Sequence, residues 1–520
     1  MQKEKTMKLT KAIITMILLI TITQNIYASS FEEKFEWVKQ TFEENDAGVP
    51  HIIERKGQQA YDVHNLMILE RIRAVESMDE FLQISRDWLT FFRRFHHQIM
   101  LNPHLVTTDA EKESEQEVEE EVAVLYPNPG FWDGDIIEFK EYITTLGDEP
   151  TYEGIWDSGG NYTIGIVREG NSYIGFIIDS AFEQWLPNMI KLRIDVEGDD
   201  VVSTFYMRDF APEVSGAPIM IGNNIMRMVN RWTIEIRRLQ PVFQESIFIE
   251  NYLRFLSSTE PFIERLNENT MYFRIPIFNI DTTYLKNIIE ENISEIASTE
   301  NLIIDLRNNP GGQNWYPILD YLYTNPIKSF DELDFYATER NIQIVYDLSR
   351  GVSLFSGLTD NIIELATKVY EQVYNRVGEF VRLSMEKTYG SFEYTTGQGA
   401  IILDEIHQYP RNVGIIVNRR TGSSSEHYIL TARQSRKVKI FGETTVGAVD
   451  TCFVVGGGLV ESPCGEIWLM YTDGRSAHVP DLVFDDIGIQ PDFFIDSSVP
   501  SYKWVEHVNE VMSGWVGGNE

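Results

Sequence analysis

The chain has 520 residues, 43% of them hydrophobic, and a formal net charge of −35. That length allows about three or four domains with sizeable cores. A surface this acidic repels nucleic acid and anionic lipid, which argues against both as partners and for a dissolved protein outside the cytoplasm. The chain opens with Lys3, Lys5, Lys8 and Lys11, followed by the apolar run 12–23. This pattern predicts a signal peptide over 1–28, cleaved after Ala28, and hence a periplasmic or extracellular protein. An uncleaved anchor is the alternative. No later segment is long and apolar enough to span a membrane, so no stable span is expected after cleavage.

Residues 29–106 read as helical. Within DEFLQISRDWLTFFRRFHHQIML, the residues Ile84, Trp88, Phe92 and His96 fall at steps of four, which predicts a helix carrying His96 on its buried ridge. Residues 107–124 form an acidic linker. Residues 125–212 alternate apolar and polar positions in NYTIGIV, SYIGFII and KLRIDV, with Gly-rich turns between them, and predict a small antiparallel β domain. Residues 213–250 are a connecting segment.

The stretch 251–497 mixes strands and helices. NLIIDL is a continuous apolar run of the kind buried on both faces of a sheet. VGIIVN, VKIFGE, EIWLMY and GIQPDFFI complete an α/β core with a mostly parallel sheet. Residues 352–395 are expected to form a helical, lid-like insertion, and 498–520 a C-terminal tail. Cys452 and Cys464 flank a Gly-rich turn, where an exported protein has use for a disulfide clip. Two cysteines without a nearby histidine pattern do not make a zinc site.

Two strand ends offer chemistry. In LIIDLRNNPGGQN a buried strand runs into Pro310, Gly311 and Gly312, and glycines there can turn their N–H groups outward together. In GIIVNRRTGSSSEHYILTAR a strand turns through Gly422 into a helix, with Ser423 at its start. Ser423 and Glu426 have capping-box spacing, so on these letters alone the serine reads first as a helix cap and second as a nucleophile on a strand-to-helix turn. Adjacent parallel strands would bring the donors and the hydroxyl to one sheet edge.

IIDLRNNPGG, a serine followed three residues on by Glu426, FGETTVGA and GIQPD occur in this order. Together they resemble the tail-specific (C-terminal processing) serine peptidase family over about 250–497. The resemblance implies a crotonase-like α/β catalytic core, a polypeptide or peptide substrate and no cofactor or metal. The better known branch of that family has a lysine after the Gly of its GETTVG-type motif; here that position is Ala448. The resemblance therefore points to the branch similar to the tricorn protease core, which uses a histidine from N-terminal helices and a carboxylate before the Gly-Ile-x-Pro-Asp motif. On that pattern Ser423 is the nucleophile, His96 the base and Asp485 its orienting carboxylate, with Ser424, Gly311 and Gly312 forming the oxyanion hole. His97 is the alternative base and Asp486 the alternative acid; His427 and His478 compete as further site histidines. The pattern has a serine before its histidine where Phe95 stands, and a glutamate where Asp485 stands. Ala448 and Phe95 together sustain a second reading, a catalytically inactive relative that binds peptides or other ligands outside the cytoplasm. The motifs assign no substrate, no role to the β domain and no oligomeric state.

Overall fold

The computed structural model describes residues 30–102, 126–147, 150–198, 200–229, 233–312, 316–328, 330, 332–349, 391–396, 399–452 and 458–515. The expected signal peptide, the acidic linker and nearly all of the lid-like insertion lie outside them. The chain divides into two compact units, one comprising Met1–Ser114, Thr259–Ser498 and Val508–Glu520, the other Glu115–Ser258 and Val499–His507. Among the described residues, no helix is long and apolar enough to cross a membrane.

The second unit holds a nine-stranded antiparallel sheet that runs from Gly154 to Gln240. It is larger than the sequence reading allowed, because the supposed connecting segment supplies Pro212–Ser215, Ile219–Ile221, Ile225–Val229 and Thr233–Gln240 to the same sheet. Trp156 and Trp185 are buried in its core, as their size favours.

In the first unit four helices come first: α1 (Phe31–Asn45), α2 (Val49–Lys56), α3 (Gln58–Arg73) and α4 (Met78–Leu89). Ser30 and Ser77 cap α1 and α4. Phe35, Phe42, Phe81, Ile84, Trp88 and Phe92 form one apolar cluster, so the apolar spacing did report a buried face. The helix itself ends at Leu89, however, and His96 does not extend it. His96 sits in the following turn at φ 62°, a left-handed backbone conformation that few side chains adopt.

That turn leads into a short strand, β1 (Gln98–Leu101). The core sheet follows with β2 (Phe262–Asn267), β3 (Thr270–Arg274), β4 (Asn301–Asp305), β5 (Asn412–Val417) and β6 (Val438–Gly442). A hairpin, β7 (Gly458–Glu461) and β8 (Ile467–Tyr471), precedes the last core strand, β9 (Phe493–Phe494). The six core strands lie in the order β2-β3-β4-β5-β6-β9. Pairing is parallel from β3 onward, and only β2 runs antiparallel. All five residues of β4 are buried, which is why NLIID reads as an unbroken apolar run. EIWLMY, expected in this sheet, instead pairs as β8 with β1 and β7. That pairing sets Ile99 against Leu469 and joins the N-terminal helices to the core. Cys452 and Cys464 are free: the first lies in a short strand paired with Gly474–Ser476, the second in the turn between β7 and β8, so they belong to different sheets.

One buried ion pair fixes where the helices meet the hairpin. Arg93 donates from both terminal nitrogens to Asp46, at 2.7 and 2.6 Å, and both side chains are almost wholly buried. Asp46 also accepts from the Thr472 N–H and hydroxyl, at 3.0 and 2.9 Å. Burial alone would raise the Asp46 pKa; the Arg93 charge and these donors hold it below the usual carboxylate value. Asp46→Ala, which strands a buried guanidinium, is expected to cost about 3–5 kcal/mol of unfolding free energy by denaturant titration. An unchanged midpoint would show that the pair is not structural.

Candidate active site

The turn after β4 begins with a buried carboxylate. Asp305 accepts from Tyr272 Oη at 2.8 Å and from Arg307 Nη2 at 2.6 Å, so the guanidinium folds back over the strand it has just left. The following residues then dock onto the start of the helix α5 (Ser424–Ala432). Thr421 Oγ1 donates to Leu306 O at 2.9 Å, Gly422 N–H to Asn309 O at 3.0 Å, and Ser424 Oγ to Gly312 O at 2.6 Å. Gly311 has φ 100°, and a Cβ there would lie 2.7 Å from Ser423 Cβ and 2.8 Å from Ser424 N. Only glycine allows so close an approach.

The sequence left Gly311 and Gly312 equal as oxyanion donors. In the structure Gly311 N–H donates to Asn309 Oδ1 at 3.0 Å, which occupies it. Gly312 and Ser424 are the remaining candidates, since neither N–H makes a hydrogen bond among the described residues.

Ser423 stands at φ 55° and ψ −125°, a strained conformation for a non-glycine residue on a strand-to-helix turn. The Glu426 half of a capping box is present, with Ser423 N–H donating to Glu426 Oε2 at 3.0 Å, while Glu426 N–H donates to Ser423 O at 2.7 Å. Glu426 does more than cap. It is fully buried and also accepts from Thr445 Oγ1 at 2.5 Å, Gly447 N–H at 2.8 Å and Ala448 N–H at 2.8 Å. Burial pushes its pKa up, against the pull of these four donors. Ala448 thus contributes a backbone donor to the carboxylate that also holds the Ser423 amide.

The next residues are tied to Asp485. Its Oδ1 accepts from Val449 and Asp450 N–H, both at 2.8 Å, and its Oδ2 lies 3.3 Å from Thr451 Oγ1. His96 Nδ1 is 2.7 Å from Thr451 O, and a carbonyl only accepts, so Nδ1 carries the proton and Nε2 the lone pair. The structure therefore brings Asp485 to Thr451, and Thr451 to His96. The hydrogen bond that sets the imidazole tautomer ends on a backbone carbonyl rather than on Asp485. Arg93 also donates to Phe95 O at 3.0 Å and His96 O at 3.1 Å, which pins the turn carrying the histidine.

Burial and the neighbouring Arg93 charge lower the His96 pKa to about 4, so the imidazole is neutral near pH 7. Burial, together with the charge of Asp450, raises Asp485 to about 7. His97 is placed differently: its Nε2 lies 2.6 Å from Arg93 O and its ring meets Phe42 edge-on. Asp486 reaches the N-terminal region, accepting from Arg94 N–H at 3.2 Å with Lys56 Nζ 3.7 Å away. His478 donates to Asp450 Oδ1 at 3.0 Å, and the same carboxylate accepts from Phe484 and Asp485 N–H. His427 is buried, and its pKa is lowered to about 4 by burial first and then by the charges of His478 and His96. Asp450 and Thr451 escaped the sequence reading; their only signal was position, directly after FGETTVGA. Among the described residues, no three His, Cys, Asp or Glu side chains are grouped to hold a metal ion.

Residues 269–455 match the family model described as Peptidase family S41. No curated protein matches the chain. Among solved structures, mature CPAF complexed with lactacystin is similar at 12% identity over 93% of this chain and 97% of that one, with a TM-score of 0.44. The photosystem II D1 C-terminal processing protease is similar at 12% identity over 93% and 98%, TM-score 0.35. The tricorn protease is similar at 10% identity over 93% of this chain and 36% of that one, TM-score 0.34.

Glu426→Gln tests the junction. An amide cannot accept on both arms, so at least one donor pair loses its partner, and a loss of roughly 1–3 kcal/mol in stability is expected with a marked fall in activity. Wild-type stability and activity in this variant would show that the four contacts do not hold the turn.

Proposed function

We propose that this serine-type peptidase, whose residues 269–455 belong to peptidase family S41, cleaves polypeptides through an acyl-enzyme on Ser423, with His96 as the base. The observation that supports the reading is that the Ser423 amide and the segment 447–451 share Glu426, that the same segment is held by Asp485, and that its Thr451 carbonyl meets His96. His96 Nε2 takes the hydroxyl proton, Ser423 attacks the peptide carbonyl, and Gly312 and Ser424 N–H hold the oxyanion. Each such donor is worth on the order of 3 kcal/mol of barrier. His96 returns the proton to the leaving amine, and water, activated by the same nitrogen, releases the acyl group.

Asp485 acts as a positioning residue on this reading. It secures Val449, Asp450 and Thr451, and the Thr451 carbonyl orients the imidazole. His97 is engaged with Arg93 O and serves the packing of the turn. The catalytic core is crotonase-like, the protein is exported after cleavage of 1–28, and its substrates are peptides or polypeptides.

Peptide turnover should vanish in Ser423→Ala while the fold persists, since a lost cap costs only about 1 kcal/mol. Full turnover in that variant would overturn the assignment. Asp485→Asn keeps an oxygen for the two N–H groups and should hold kcat/KM within about tenfold. A loss of about 10⁴, the scale of removing a carboxylate directly paired to the base, would instead place Asp485 on the imidazole. Because its pKa is raised, Asp485 favours folding fully at acid pH, and that contribution is lost as pH rises through about 7. Asp485→Asn should therefore gain stability relative to wild type between about pH 4 and 7; parallel stability profiles would contradict the neutral carboxyl.

A further inference from the structure

A cavity of about 1080 Å³ lies in the first unit, lined by none of the residues assigned to catalysis. Its walls come from α1, from the hairpin β7–β8 and from the helix Glu339–Ser349. Trp37 and Trp468 contribute half-buried aromatic surface. Glu44, Glu339 and Glu461 are exposed and line it, against one lining cation, Arg340. Glu461 Oε1 accepts from Asn102 Nδ2 at 3.1 Å.

The third wall is a strand edge. Leu459, Val460 and Glu461 all line the cavity. Alternate residues of a strand point to opposite faces, so three in succession line one space only when the edge of the strand borders it. Among the described residues β7 pairs with β8 alone, so no described strand occupies its other edge. An open edge is a template for an added strand, whose backbone pairs while its alternate side chains enter pockets.

We propose that this cavity binds an extended, cationic polypeptide segment that adds as a strand to β7 and sets Lys or Arg side chains against Glu44, Glu339 and the two tryptophans. Carboxylates supply charge-assisted hydrogen bonds, and Trp faces attract cations at close range. The formal charge of −35 steers such a segment toward the protein. The segment belongs to a substrate, at a distance from the scissile bond; this last identification rests on the peptidase reading, whereas binding does not.

The test uses full-length Ser423→Ala and fluorescence anisotropy of labelled ten-residue peptides. An alternating Arg/Val peptide should bind, and its Glu/Val counterpart should not. Glu44→Gln combined with Glu339→Gln should weaken binding at least tenfold. N-methylation of one alternate set of peptide amides should abolish binding while the other set is tolerated, because only one edge of an added strand faces β7. Equal binding of the acidic peptide, or indifference to the double variant or to both methylation sets, would overturn the site. In the active protein, the double variant should raise KM for Arg-containing peptide substrates at unchanged kcat. Intact peptide binding with unchanged KM would retain the site but refute its use by substrate, and an inactive wild type would leave the binding results to stand alone.

Discussion

The buried carboxylate of Glu426 is the constraint on which the site depends. Burying a carboxyl group is costly unless its oxygens find hydrogen-bond donors. Four donors meet them: the amides of Ser423, Gly447 and Ala448 and the hydroxyl of Thr445. Hydrogen bonds to a charged group contribute more than neutral ones, so the set offsets desolvation and fixes two loops to each other. This helps explain how Ser423 can persist at φ 55°. A strained turn survives where its surroundings over-determine it.

A second node does the same for the histidine. The Arg93 guanidinium, paired with Asp46, also holds the carbonyls of Phe95 and His96, and Asp46 in turn holds Thr472 at the end of β8. The N-terminal helices are thereby fastened to a strand hundreds of residues away, and β1 continues the attachment by pairing with β8. Between the two nodes lies the segment 447–451, gripped by Glu426 at one end and by Asp485 near the other. Its Thr451 carbonyl is the contact with His96.

The parts of this arrangement that were legible in the sequence are those set by local chemistry. The apolar run of β4, the Pro-Gly-Gly turn, and the capping spacing of Ser423 and Glu426 all correspond to real features. What was not legible depends on partners distant in the chain. The four-residue spacing extended the helix through His96, but nothing local reports that Arg93 will leave the helix to meet Asp46, 47 residues earlier. The same applies to EIWLMY, whose apolar alternation suits any sheet and whose partner is set by β1. Gly311 and Gly312 looked interchangeable until Asn309 took one of the two amides. Asp485 matched a carboxylate expected on the histidine, yet its oxygens meet the backbone that presents the histidine's partner.

We propose His96 as a neutral base and Ser423 as the nucleophile it activates. A fluorophosphonate reacts only with a serine so activated, and peptide mapping by mass spectrometry locates the adduct. The account predicts labelling of the wild-type protein at Ser423, lost in His96→Ala and retained in His97→Ala. Absence of any adduct in the folded protein, or labelling that survives His96→Ala, would contradict it.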